Sequence, residues 1–209
     1  MPRTLSPRRP PREQVTAEIL EAAIGLFAKR GFEATTMQDV AAQVGMTAPA
    51  LYYYFDSKQA LLFEVIELNL ERILERLEAA LAAVGGTATE RLQAFVRTHL
   101  AFQLEKVERA RVYNAMFLGT EALLSVLSGE QRAAILRLQS RVRAMLGGIL
   151  ERGVARREFS ITDMTVTTMG ILALGEFVPA WFQPRGGLER SHVADRYSAL
   201  ALRMVRSDR

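Results

Sequence analysis

A short stretch of this chain gathers groups suited to gripping a polyanion. Thr36, Gln38, Gln43, Thr47, Tyr52 and Tyr53 offer hydroxyl or amide donors and Lys58 a cation, with the small apolar surface of Ala48, Pro49 and Ala50 among them. Hydroxyls, amides and a lysine suit phosphate oxygens, and small apolar groups suit the methyl of thymine. No histidine or cysteine stands among the ten, so the chemistry they offer is recognition. Catalytic residues are none by this reading, and the same holds for metal ligands.

Such groups act together only if the backbone holds them on one surface. Thr36 followed by Asp39 is a capping box and predicts a helix over residues 37–44, with Val40 and Val44 on one face. Gly45 supplies the left-handed backbone that ends it. Thr47 caps a second helix over residues 48–55, with Pro49 in the first turn, where a missing N–H breaks no bond. Ala41 and Gly45 let the two helices cross closely, and Val40, Val44, Met46 and Leu51 fill the angle. This is the pattern of a helix-turn-helix, whose second helix enters the major groove with its first residues at the base edges. Thr47, Ala48, Pro49 and Ala50 are therefore expected against bases, with Gln38 and Gln43 adding polar contacts. Tyr52, Tyr53 and Lys58 are expected on phosphate, and Tyr54 and Phe55 in the core.

The whole composition sets bounds on this reading. The chain has 209 residues, 49% hydrophobic and 24% charged, with a formal charge of +4. That is room for one large or two small globular domains, and the charge permits nucleic acid as a partner without demanding it. Lysine occurs only at Lys29, Lys58 and Lys106, so the cations are mostly arginine. The absence of cysteine excludes disulfides and thiolate chemistry and fits a reducing compartment. The sequence shows neither an apolar signal-peptide core nor an evident spanning run, so a cytoplasmic protein with no membrane partner is expected.

Around the motif the chain reads as helices. Residues 1–11 mix Pro2, Pro7, Pro10 and Pro11 with Arg3, Arg8 and Arg9, the composition of a flexible basic arm for DNA or of a solvated tail. Val15, Ile19, Ala23, Leu26 and Phe27 mark a first amphipathic helix that Gly31 stops, completing a small domain over residues 12–56. Ser57 caps a long helix whose stripe runs from Leu61 and Leu62 through Leu68 to Leu81, until Gly85 and Gly86. Its length is roughly 40 Å. Further helices are predicted over residues 89–103, 110–118, 129–152, 162–182 and 189–205, making the chain all-α with about nine helices and no strand.

These residues resemble the TetR family of transcriptional regulators. The resemblance rests on Gly31-Phe32, Thr35 through Ala41, Val44 through Thr47, Leu51 through Phe55, and Ser57-Lys58 to Leu61-Leu62. The family often has histidine at the place of Tyr54 and glycine at that of Pro49. The resemblance implies an N-terminal three-helix DNA-binding domain and a larger ligand-binding and dimerisation domain over residues 57–209. It also implies a homodimer through the last two helices on a palindromic double-stranded operator, and release by a small hydrophobic effector. Small positions at Thr168, Gly170, Ala173 and Gly175 agree with close packing of the penultimate helix, on a partner or within one chain. Phe63, His99, Phe102, Tyr113, Asn114, Phe117, Phe177 and Trp181 are the candidate ligand-lining residues, aromatic with a few polar groups. The segment from Trp181 to Leu188 resembles a turn in the acyl-CoA-responsive, FadR-like branch, which governs fatty-acid and sterol breakdown. An acyl-coenzyme A is thus the effector class this implies.

Two other classes compete with a repressor. A helical carrier without DNA binding would not need Thr47, Tyr52 and Lys58. An enzyme would need a phosphate loop, a metal cluster or a nucleophile elbow, and the sequence has none of these, with His99 and His192 its only histidines.

Overall fold

The computed structural model describes residues 11–118, 125–183 and 187–206, residues 115–118 by backbone alone. Among the described residues the chain is all helix, in nine segments: α1 Arg12–Arg30, α2 Met37–Gln43, α3 Ala48–Tyr52, α4 Lys58–Ala83, α5 Ala88–Glu105, α6 Val107–Leu118, α7 Gly129–Ala155, α8 Met164–Trp181 and α9 Arg190–Val205. Two compact units meet in the chain between Val65 and Ile66.

In the N-terminal unit, α1 packs on α2 and α2 on α3. Thr36 accepts a hydrogen bond from the Asp39 N–H, while the Asp39 carboxylate takes the Thr36 N–H and hydroxyl, so the capping box is complete. Those bonds, the hydroxyl first, hold the Asp39 carboxyl below the usual range. Gly45 at φ 68° closes α2, with Met46 N–H on the Ala41 carbonyl at 2.8 Å and Gly45 N–H on that of Ala42. This is the Schellman arrangement that satisfies a helix's last carbonyls. Val40, Leu51 and Phe55 are buried, whereas Val44, Met46 and Tyr54 are only half-buried. The α-helix of α3 ends at Tyr52, short of the expected residue 55, although Tyr54 and Phe55 still donate to the Leu51 carbonyl.

In the larger unit, α5 is the central element, packed by α6, α7, α8 and most extensively α9. Its core joins Leu92, Phe95 and Leu100 to Leu146, Ile149, Val178 and Ala201. The α5 N-terminus is held from a distance: both oxygens of the Glu158 carboxylate accept the N–H groups of Ala88 and Thr89 at 3.0 Å. Those bonds lower the Glu158 pKa, as expected for an anion at the positive end of a helix. The long α4 buries Leu70 and Leu74 in addition to the expected stripe, and Leu68 only in part.

The helix α7 ends at Ala155, in keeping with an expected stop at Gly153 or shortly after. Gly153 lies inside it with the Phe159 ring packed where a Cβ would stand, so no larger residue fits there. The left-handed position falls on Arg157, φ 59°, with Glu158 N–H on the Gly153 carbonyl at 2.8 Å and Arg157 N–H on that of Val154. A side chain in this conformation costs about 1 kcal/mol relative to glycine. Arg157→Gly is expected to raise the urea-unfolding free energy by about that amount, and an unchanged or lower midpoint would contradict it.

The helix Met164–Trp181 corrects the expectation of no spanning run: by length and composition, at mean hydropathy 1.2 over 18 residues, it is apolar enough to cross a membrane. Scattered Thr and Gly, with Glu176 and Pro179, hid this in the letters. Ile171, Leu172 and Val178 on one of its faces are buried in the unit, and its other face is exposed.

Candidate nucleic-acid interface

The helix-turn-helix presents its polar groups in two sets. One set is used internally: the Thr36 hydroxyl in its cap, Arg30 on Asp39 at 3.2 Å, and Lys58, whose Nζ donates to the carbonyls of Phe32 at 2.8 Å and Glu33 at 3.2 Å. The ammonium also lies 4.3 Å from the Phe32 ring centroid, so Lys58 clasps the turn after α1. The other set faces outward. Gln38, Gln43, Thr47 and Pro49 are exposed, Ala48 and Ala50 half-buried, and Tyr52 and Tyr53 are 49% and 71% exposed. Thr47 accepts the Ala50 N–H at 3.4 Å, a long cap that leaves the hydroxyl proton free to donate outward.

Arg12 is a member of this surface that sequence reasoning missed. Its guanidinium lies 5.3 Å from the Tyr53 ring centroid and 5.7 Å from that of Tyr54, and the two rings meet edge to face. The first residue of α1 thus steadies the end of α3. Beneath it lies a cavity of about 670 Å3 lined by Val15, Ile19, Met46 and Ala50. In the sequence Arg12 stands with Arg3, Arg8 and Arg9 ahead of the first acidic residue, Glu13, and opens the first helix, but nothing there assigns it a contact with Tyr53.

The candidate ligand residues separate into three groups. His99, Tyr113 and Asn114 converge on consecutive residues of α8. The buried His99 ring stacks on Phe95 and takes the space beside Gly175, where a Cβ would stand 2.7 Å from Nδ1. Asn114 Nδ2 donates to the Glu176 carbonyl, which orients the amide, while its buried Oδ1 has no partner among the described residues. Burial lowers the His99 pKa to about 4, keeping the ring neutral. Burial also raises that of Glu176 against the pull of Arg143, and burial, then the Glu176 charge, raises that of Tyr113. Glu176, the lone charged residue of α8, is the second group that sequence reasoning missed. Pro179 lacks the N–H that would serve the Gly175 carbonyl, and Arg111 secures the end of α8 through the carbonyls of Pro179 at 2.8 Å and Phe182 at 3.3 Å.

A second group lies apart from that convergence. Phe102 is buried under the Arg76 guanidinium, and Phe63 is half-buried in the N-terminal unit. The third is on the surface: Phe177 is 60% exposed, and Trp181, also exposed, stacks on Tyr197 of α9. The Phe117 side chain and residues 184–186 of the acyl-CoA-type turn lie outside the described residues, as does the arm except Pro11.

Family models match most of this architecture. Residues 19–65 fit the model of bacterial regulatory proteins of the tetR family, and residues 85–205 that of the tetracyclin repressor-like C-terminal domain. The chain belongs to the TetR family. This TetR-family chain is 26% identical to the HTH-type transcriptional repressor KstR2 of Rhodococcus jostii, over 88% of each chain. It is 31% identical to the TetR family transcriptional regulator PfmR of Thermus thermophilus, whose crystal structure superposes with a TM-score of 0.79 over 91% of this chain and 99% of that one. It is 25% identical to AibR, solved in complex with isovaleryl coenzyme A and operator DNA, with a TM-score of 0.77 over 88% of this chain and 96% of that one. A DNA-binding regulator's fold therefore underlies the exposed groups of α2 and α3.

Proposed function

We propose that this TetR-family chain is a cytoplasmic, ligand-responsive transcriptional repressor rather than an enzyme, bound as a homodimer to a palindromic operator. The observation that carries this reading is the division of labour in the motif: Thr36 and Lys58 are tied to the fold, while Thr47, Pro49, Tyr52 and Tyr53 face outward. Thr47, Ala48, Pro49 and Ala50 meet base edges largely through methyl contacts, and Gln38 and Gln43 add hydrogen bonds. Tyr52 and Tyr53 hold phosphate, with Arg12 steadying Tyr53, and Lys58 turns its remaining N–H to the backbone. Residues 1–11 serve as a basic arm, residues 12–56 as the reading head, and residues 57–209 as the ligand and dimer domain.

The dimer forms through α8 and α9. Val166, Met169, Phe177 and Trp181 of α8, with Leu200 and Met204 of α9, are large apolar side chains left exposed, and apolar patches of this kind mark interaction sites. Membrane insertion is the less suitable use of α8, since Glu176 and the packed inner face would be placed in lipid. The effector is a small hydrophobic ligand, and an acyl-coenzyme A is the class supported by the turn after Trp181 and by the ligand of AibR. His99, Tyr113 and Asn114 with Glu176 supply its polar contacts. Release follows when the effector binds the DNA-incompetent conformation more tightly.

Selecting genomic fragments by gel shift tests the first part. Thr47→Ala/Tyr52→Ala/Lys58→Ala protein is expected to lose on the order of a hundredfold or more in operator affinity, at about 1–3 kcal/mol per lost specific contact. Unchanged binding sinks the assignment. Titrating the complex with acyl-coenzyme A thioesters of several chain lengths tests the second, and no release by any of them removes that effector class.

A further inference from the structure

The larger unit holds a second cavity, of about 580 Å3, between α4, α5 and α7. Its walls are apolar at Leu81, Val84, Met145 and Gly148, and two arginines, Arg91 and Arg152, line it. The one carboxylate in the lining, Glu78, pairs with Arg141 at 3.0 Å. Arg91 and Arg152 thus stand over an apolar floor with no carboxylate partner among the described residues.

The two guanidiniums differ from the arginines of this chain that are held in ion pairs or on two carbonyls. Arg30, Arg76, Arg97 and Arg141 pair with carboxylates, and Arg111 is spent on carbonyls. Arg91 gives Nη1 to the Leu81 carbonyl at 3.0 Å, while its Nε is buried with no partner. The bond through Nη1 leaves the Nε and Nη2 edge, the parallel pair of donors that matches two oxygens of one carboxylate or phosphate. Arg152 lies back along α7 over Gly148, 3.5 Å from where a Cβ would stand, and its guanidinium has no partner among the described residues. A Cβ at 148 would meet it in ordinary van der Waals contact.

We infer that this cavity binds an organic oxyanion, a carboxylate or phosphate on a small apolar body, clamped between Arg91 and Arg152. The charged group meets the guanidiniums and the body lies on Leu81, Val84 and Met145. Neither arginine belongs to the reading head or to the His99 cluster, so the site stands or falls independently of the operator and effector assignments.

Calorimetric titration of the full chain at low salt tests this with three probes: inorganic phosphate, octanoate and coenzyme A. Octanoate or coenzyme A is expected to bind more tightly than inorganic phosphate, which lacks the body, and which of the two binds distinguishes a carboxylate from a phosphate ligand. Arg152→Gln is expected to weaken the binding about tenfold or more, through loss of a charge-assisted contact. Arg91→Lys keeps a donor for Leu81 but loses the two-point edge, so it is expected to weaken binding comparably with the thermal midpoint retained. Absence of binding by all three probes at millimolar concentration overturns the proposal. Binding unaffected by both substitutions, or inorganic phosphate binding as tightly as the organic probes, overturns it equally. Operator binding by gel shift is expected to stay at the wild-type level in Arg152→Gln protein, and its loss would overturn the independence of the site.

Discussion

Phe177→Glu, combined with Met169→Glu, is expected to make the protein monomeric and to weaken operator binding on the order of a hundredfold or more, because both half-site contacts are then no longer made by one particle. Val166, Met169, Phe177 and Trp181 follow one another at helical spacing on the outer face of α8, beside Leu200 and Met204. Fully burying such side chains is worth about 1.5–3 kcal/mol each before the costs of association. In a two-fold interface each substituted carboxylate is also duplicated, so the penalty is counted on both subunits. The fold of the single chain is expected to survive, since Phe177 is 60% exposed and surface changes cost about 0.5 kcal/mol or less. Sedimentation velocity checks the mass and circular dichroism the helices. A dimer that persists with both glutamates in place would show that α8 is not the partner face.

The second large effect concerns pH. His99 is buried and its pKa is lowered from 6.5 to about 4 by loss of solvation. Between those values the unfolded chain binds a proton that the folded chain refuses, so stability rises with pH and is lost as the pH falls from about 6.5 towards 4. A lowering of this size corresponds to roughly 3 kcal/mol at the acid end of that window. Glu176 acts in the opposite sense. Its raised pKa favours the neutral folded form, so its contribution is present at low pH and is lost as pH rises through the folded value. Asp39, Glu105 and Glu158, all lowered, lose theirs as pH falls through their folded values, and Tyr113, raised, loses its contribution only in strong alkali. His99→Gln removes only the histidine's share. Urea unfolding of the two proteins across pH 4–7 is therefore expected to converge as the pH falls, with the wild type carrying the steeper slope. Parallel curves would mean that His99 is accessible to protons in the folded chain.

Much of the helix-turn-helix was legible because its signals are local. A cap, its N3 partner and the closing glycine lie within a few residues of one another, and their bonds form whatever the rest of the chain does. Thr36, Asp39, Gly45, Thr47 and Ser57 accordingly act where the spacing placed them. The end of α7 adds a packing contact to such local signals. It falls at Ala155, just past Gly153, which lies inside the helix under the Phe159 ring, and the left-handed turn is made by Arg157. The glycine is held there by a contact that no local rule specifies.

The ligand candidates show the limit more sharply. Phe102 and Trp181 are alike as letters, an aromatic on an amphipathic helix, yet one is buried under Arg76 and the other exposed against Tyr197. Asn114 meets the carbonyl of Glu176 from 62 residues away in the chain, and Arg91 meets that of Leu81 across a turn between helices. No spacing within one helix specifies either pairing.

By itself the sequence determined that the chain is helical and where most of its capped helix starts lie, that one pair forms a DNA-reading motif, and which family the chain resembles. All of these rest on contacts between residues three or four apart and on backbone conformations that few residue types accept. Only the tertiary structure decided which side chains face outward. It tied Lys58 to the turn after α1, set Arg12 on Tyr53, seated His99 against Gly175 and left Phe177 exposed. Burial and the desolvation that comes with it are properties of a site that several helices build together, and each helix carries only its own part of that information.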